Sequence, residues 1–212
     1  MRLLIAADRG RLEHVAVVGH GSMRQNPPRE GAPVSSTLER YDVAVAGFRR
    51  RLEQLAPSDF SRPSPCEGWT AGDLVDHTIG AVTLVGGLVG DRLDAEAAAG
   101  YVERFDRATG DLRAKVADPV LGATVVESPF GTLAVKQLVS SIVVHDLLVH
   151  TWDLARATDG DERLDEDLVA HTYASMSPLD DVLREHGFAK KVDVPSGADA
   201  QTRLLCFLGR EP

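Results

Sequence analysis

Two side chains in the stretch Lys136 to Ala157, KQLVSSIVVHDLLVHTWDLARA, have the types and the spacing for metal chemistry: Asp146 and His150. On a helix, residues four apart share a face with Cβ atoms about 6 Å apart, so both can reach one ion. Three protein donors with one coordination position left open is the pattern of a catalytic rather than a structural zinc. His77 is the best third donor, because the stripe Leu74, His77, Ala81, Leu84 or Val85, and Leu88 turns it toward the interior. Imidazole plus carboxylate suits zinc, iron, nickel or manganese without choosing among them. Such an ion lowers the pKa of bound water or thiol, or polarises a carbonyl.

Spacing leaves other fates open. Asp146 can hydrogen-bond His150, or pair with Arg156 or Arg51, and His77 can be a satisfied core histidine. His145 points about 100° away from Asp146 and reads as structural or as a neighbour of the ligands. Asp153 either orients a ligand histidine or faces solvent, and Trp152 reads as core. Cys66 precedes a helix whose positive end would favour a thiolate, but a buried small hydrophobe is the simpler reading. His14 and His20 read as solvated histidines in a loose arm. Ser128, Ser140 and Ser141 lack a G-x-S-x-G setting, which argues against a serine hydrolase. Gly86, Gly87 and Gly90 follow no strand, so they form no phosphate loop.

The elements that must position these groups read as helices. Lys136 to Ala157 holds no Pro or Gly and is apolar nearly all round, as a buried helix is. An unpaired carboxylate there is too costly to persist, so Asp146 needs a metal, an Arg or another partner. Upstream, Ser36 and Glu39 make a capping box for a first helix with the stripe Leu38, Tyr41, Val45, Phe48, Leu52 and Leu55, ended by Pro57. Its Arg49-Arg50-Arg51 run reads as a solvated face. After the loop SRPSPCEGW, Thr70-x-x-Asp73 opens the second helix, which the three glycines close. A third is expected from about Leu93 to Val116, with Tyr101, Phe105, Ala108, Leu112 and Val116 inward. Ala123 to Val126 and Leu133 to Val135 then flank Ser128-Pro129-Phe130-Gly131 as a short hairpin or crossing loop, returning the chain to the fourth helix of a bundle. Asp165 starts a fifth helix with Leu168, Val169, Tyr173 and Met176 apolar, and Pro178 interrupts it. Val192 to Val194 reads as a short strand. Asp199 caps a last helix that Gly209 ends.

With 212 residues, 43% hydrophobic and 26% charged, the chain can bury a real core. The expected organisation is one domain over residues 36–212 behind a poorly ordered extension over 1–33. A net charge of −9 argues against a nucleic-acid partner. No apolar run reaches the length a membrane helix needs. Cys66 and Cys206 are far apart, so neither a thiolate zinc cluster nor a disulfide framework is expected, and a reducing cytoplasm is the natural compartment.

Three segments together carry a resemblance: SPCEGWTAGDLVDH (Ser64 to His77), HDLLVHTWDLARATDG (His145 to Gly160) and DAQTRLLCFLGREP (Asp199 to Pro212). The chain from Ser36 onward resembles the maleylpyruvate isomerase N-terminal-like proteins of the DinB-like superfamily. The resemblance implies an all-α four-helix bundle holding one divalent metal, commonly zinc, with His77, Asp146 and His150 in the ligand positions. In the mycothiol-dependent isomerase a glutamate matches Asp146 and the C-terminal domain is larger. The implied activity is therefore a related one: a metal- and mycothiol-dependent isomerase or S-transferase acting on a small-molecule substrate. The alternatives are a non-enzymatic metal-binding or ligand-sensing bundle, for which a homodimer is expected, and a plain helical interaction domain with a buried Asp–His pair.

Overall fold

The computed structural model describes residues 36–94, 100–128, 131–185 and 189–212. The extension over 1–33, with His14 and His20, lies outside the described residues.

Each of the first two helices begins at a reciprocal cap. Ser36 Oγ accepts from Glu39 N–H at 3.2 Å ahead of α1 (Thr37–Leu52). Thr70 Oγ1 accepts from Asp73 N–H at 3.1 Å, and Thr70 N–H donates back to Asp73 at 2.9 Å, ahead of α2 (Ala71–Gly86). These bonds satisfy donors that the first turn leaves without intrahelical partners. A single 3₁₀ turn over Gly87–Val89 comes next, and Gly90 breaks the path. The third helix, α3 (Tyr101–Ala117), starts later than the apolar pattern suggests. Residues 91–94 are not helical, and Leu93 reaches the core from an irregular segment. The stripe from Tyr101 to Val116 lies on the helix, but the expected start near Leu93 falls on a packed loop residue.

The crossing is a two-stranded antiparallel hairpin. Strand β1 (Val125–Ser128) pairs with β2 (Gly131–Ala134), Val125 opposite Ala134. The chain then enters α4, Val135–Ala157, a helix of 23 residues. Val139–Val143 is π-helical, with Val144 N–H reaching back five residues to Val139 O. Nothing in the VSSIV spacing signals this. Against the expectation that no segment reaches membrane length, α4 could cross a membrane by length and composition, but 83% of its most apolar window is buried within the protein, which makes it the core helix.

The four helices bury one another. Phe48 of α1 stacks on Phe105 of α3 with centroids 5.1 Å apart, and Tyr41 Oη donates to Thr109 O at 2.9 Å. Leu74, Leu112, Leu147 and Leu154 fill the space between, each fully buried and each stabilising by about 1.5–3 kcal/mol. The C-terminal extension comprises α5 (Glu166–Met176), a 3₁₀ turn at Ser177–Leu179, α6 (Asp180–Glu185) and α7 (Ala200–Phe207). Of these, α5 packs on both α4 and α7.

Four further expectations need correction. Arg51 is not on a solvated face: it is buried and donates to Asp161 O and Arg163 O at 2.8 and 2.7 Å, tying α1 to the loop after α4. Tyr173 and Leu88 are exposed, and Thr172 takes the inward place on α5. Residues 192–194 form no strand, although Val192 N–H donates to Cys206 O at 2.9 Å. Among the described residues no strand pairs with them, and β-branched residues alone are not enough.

Candidate metal centre

The capping box at Thr70 starts α2 so that His77, nearly two turns in, meets the middle of α4. Asp146 and His150 approach from α4, one turn apart. His77 Nε2 lies 3.5 Å from Asp146 Oδ1, and His150 Nε2 lies 3.3 Å from the same oxygen. Donor atoms of all three residues fall within 4.8 Å of one another. Asp146 and His150 are buried, and His77, whose side chain is only 7% exposed, forms the outer edge. Trp69 closes that edge, its ring 4.8 Å from the His77 ring and 6.4 Å from that of His150.

The hydrogen bonds of His150 distinguish its two nitrogens. Nδ1 donates to Asp153 Oδ2 at 2.9 Å. Nε2 is buried without a hydrogen-bond partner, despite its closeness to Asp146. An imidazole whose Nδ1 carries the proton presents a lone pair at Nε2, which is the form that ligates a metal. Asp153 is itself held at both oxygens by Arg210, with Nε to Oδ1 at 3.0 Å and Nη2 to Oδ2 at 2.6 Å.

Asp146 and Asp153 also favour a proton on His150, so a metal would have to displace that proton from Nε2. Burial pushes the Asp146 carboxyl up, but His150 and then His77 outweigh it and hold the group well below the usual carboxylate range. Burial pushes His150 down, yet Asp146 and Asp153 raise it well above an ordinary histidine. For Asp153, too, the upward push of burial is overcome, chiefly by Arg210. Two carboxylates are thus buried and ionised. One has a permanent guanidinium; the other lies between two imidazoles, and an anion buried there is stable only beside a positive charge.

A second trio, Cys66, His150 and Asp153, also lies within 4.8 Å. There the Arg210 guanidinium already takes the cation's place: it bonds both Asp153 oxygens and lies 3.8 Å from Cys66 Sγ. Cys66 is buried, as the simpler reading expects, and its thiol also meets Asp153 Oδ2 at 3.5 Å. Neither alternative partner of Asp146 is used, since Arg156 pairs with Glu162 and Arg51 with the loop at Asp161 and Arg163. Asp153 is fully buried and orients a histidine. Trp152 is core, and His145 is buried beside His171, where burial lowers its pKa to about 3. Reading the sequence missed Arg210 and Trp69. Arg210 lies 57 residues from Asp153, and no spacing rule connects them.

A family model described as Mycothiol maleylpyruvate isomerase N-terminal domain matches residues 41–155, which span α1 to α4 and all three of His77, Asp146 and His150. The chain belongs to that family. This is a mycothiol-related, DinB-like domain family, which agrees with the all-α bundle. Two relatives in Mycobacterium tuberculosis, strains CDC 1551 / Oshkosh and ATCC 25618 / H37Rv, are each 28% identical over 177 residues, covering 82% of this chain and 97% of theirs. Both are called uncharacterized proteins. No solved structure matches. The family match stops at Ala155, so α5, α6, α7 and the Gly209-Arg210 ending lie beyond it.

Proposed function

We propose that the protein binds one divalent metal ion, zinc being the best fit to an imidazole–carboxylate set, through His77, Asp146 and His150. We further propose that it uses a low-molecular-weight thiol such as mycothiol as a transferase or isomerase. The observation that carries the first part is the buried, unpartnered Nε2 of His150 beside an ionised Asp146. The family supports the second part. When bound, a divalent ion would supply Lewis acidity that lowers the pKa of a thiol. The chain's own residues supply the rest. Asp146 contributes the negative charge that favours a cation. Asp153 keeps His150 facing inward. Trp69 and His77 form the outer edge of the trio, the side from which a thiol and its small-molecule partner would have to enter.

The reading treats residues 36–212 as one unit working in the cytoplasm, consistent with free, buried Cys66 and Cys206. The test is elemental analysis of protein purified without added metal. About one ion per chain is expected, lost in His77→Ala, Asp146→Ala and His150→Ala. Substoichiometric metal that these variants leave unchanged would refute the reading.

A second reading, a non-enzymatic metal-binding or ligand-sensing bundle that forms a homodimer, has one observation in its favour. Asp153 and Cys66, the polar groups next to the trio, are both engaged with Arg210 rather than poised as a general base. Assays with mycothiol and electrophilic substrates separate the two: metal and thiol binding without turnover favours the second.

A further inference from the structure

We propose that Arg210, two residues from the chain's last residue and outside the family-matched stretch, is a positioning residue for the metal centre, acting through Asp153 on His150. The inference rests on the metal reading above. Its basis is a chain of contacts in which every member is buried. Arg210 is 6% exposed, and Asp153 and His150 are 0% exposed. The guanidinium fork meets the carboxylate in a bidentate pair, which fixes both the position and the plane of the carboxylate. The Asp153 oxygen that receives Nη2 at 2.6 Å also accepts from His150 Nδ1 at 2.9 Å. With its other oxygen taken up by Arg210 Nε, Asp153 presents an acceptor to His150 in one direction only. That places the imidazole proton on Nδ1 and turns Nε2 toward Asp146 and His77.

The C-terminal segment is built to deliver this side chain. Gly209 adopts a left-handed backbone, with φ +79, just after α7. Arg210 N–H donates to Leu205 O at 2.9 Å, and Arg210 Nη1 donates to Leu208 O at 3.1 Å. The helix end therefore holds Arg210 from the backbone side while its fork reaches α4. The ligand geometry of α4 is completed by a segment separated from it by three helices in sequence.

The experiment compares wild type with Arg210→Met, Arg210→Lys, Asp153→Asn and the Asp153→Asn/Arg210→Met double variant. Zn²⁺ affinity is measured by chelator competition on folded protein, and the Co²⁺ form by its visible absorption spectrum. Melting of each metal-free variant is recorded separately. Arg210→Met is expected to weaken Zn²⁺ binding, by up to the roughly 10–100-fold that losing the outer partner of a metal-ligating histidine costs, and to alter the Co²⁺ bands. Arg210→Lys, which keeps the charge but not the fork, should recover part of the affinity. In the Asp153→Asn background, Arg210→Met should have no further effect, because the route through the carboxylate is already broken. Wild-type affinity and an unchanged Co²⁺ spectrum in Arg210→Met would overturn the inference while leaving the metal reading intact. So would an equal loss in both backgrounds. A wild-type chain that takes up neither ion would overturn both readings. If Arg210→Met does not fold, wild-type affinity and spectrum in Arg210→Lys, in which the fork is lost, overturn the inference in the same way.

Discussion

His150 Nε2 and Asp146 Oδ1 lie 3.3 Å apart, one turn along α4 and out of contact with water, without forming a hydrogen bond. A ligand pair and a simple ion pair respond differently to loss of the charge. Asp146→Asn keeps the volume and removes the anion. If Asp146 is a ligand, metal affinity should fall by more than the roughly 10–100-fold typical of outer partners. If it only pairs with His150, metal content will not change and the loss will appear in stability alone. Chelator competition and elemental analysis on folded protein check this.

Removing the metal should destabilise the fold. A single-site ligand present at about 100 times its dissociation constant stabilises by about 2.7 kcal/mol. For a chain of this size that is a shift of about 5–10 °C in melting temperature. Chelator treatment should therefore lower the wild-type melt by that amount and leave His150→Ala unmoved. A wild-type melt indifferent to chelator would favour the plain helical bundle with a buried Asp–His pair. Calorimetry or circular dichroism reads the difference.

Gly209→Ala should damage the C-terminal ending. Its φ of +79 disfavours any side chain, and an added Cβ would stand 2.6 Å from Ala189 Cβ and 2.7 Å from Lys190 O. The backbone term alone is on the order of 1–3 kcal/mol. Urea denaturation should show a lower midpoint, and metal affinity should fall as well, since Arg210 is the next residue. A stability loss with no change in affinity would separate Gly209 from the site.

The two capping boxes offer a matched comparison. Thr70→Ala and Ser36→Ala should each lower stability by about 1 kcal/mol, seen as a smaller urea midpoint at constant slope. Only Thr70 caps the helix that carries His77. Metal affinity should therefore weaken in Thr70→Ala and stay unchanged in Ser36→Ala. Equal affinities in both variants would mean that fraying at the start of α2 does not reach His77.

Features set by neighbours in sequence could be read without coordinates. Ser36 with Glu39, Thr70 with Asp73, Asp199 and Gly209 mark helix ends through bonds or backbone angles that span a few residues. The apolar stretch holding Asp146 and His150 places them on one face of one buried helix, because helical periodicity is local. Thr172 and Tyr173 show where that approach weakens: adjacent positions on α5 compete for the inside, and the helix's rotation against α4 chose the smaller, polar one.

What no spacing could reveal were the partners chosen when distant segments met. Arg51 belongs to a run of three arginines, yet it alone is swallowed by the loop at Asp161 and Arg163. Arg210 answers Asp153 across 57 residues, and that contact fills the cation's place in one of the two candidate trios. The reason is physical. Helical periodicity and capping arise from hydrogen bonds only three or four residues long, whereas a buried charge is stable only beside a countercharge that packing of the whole chain brings to it.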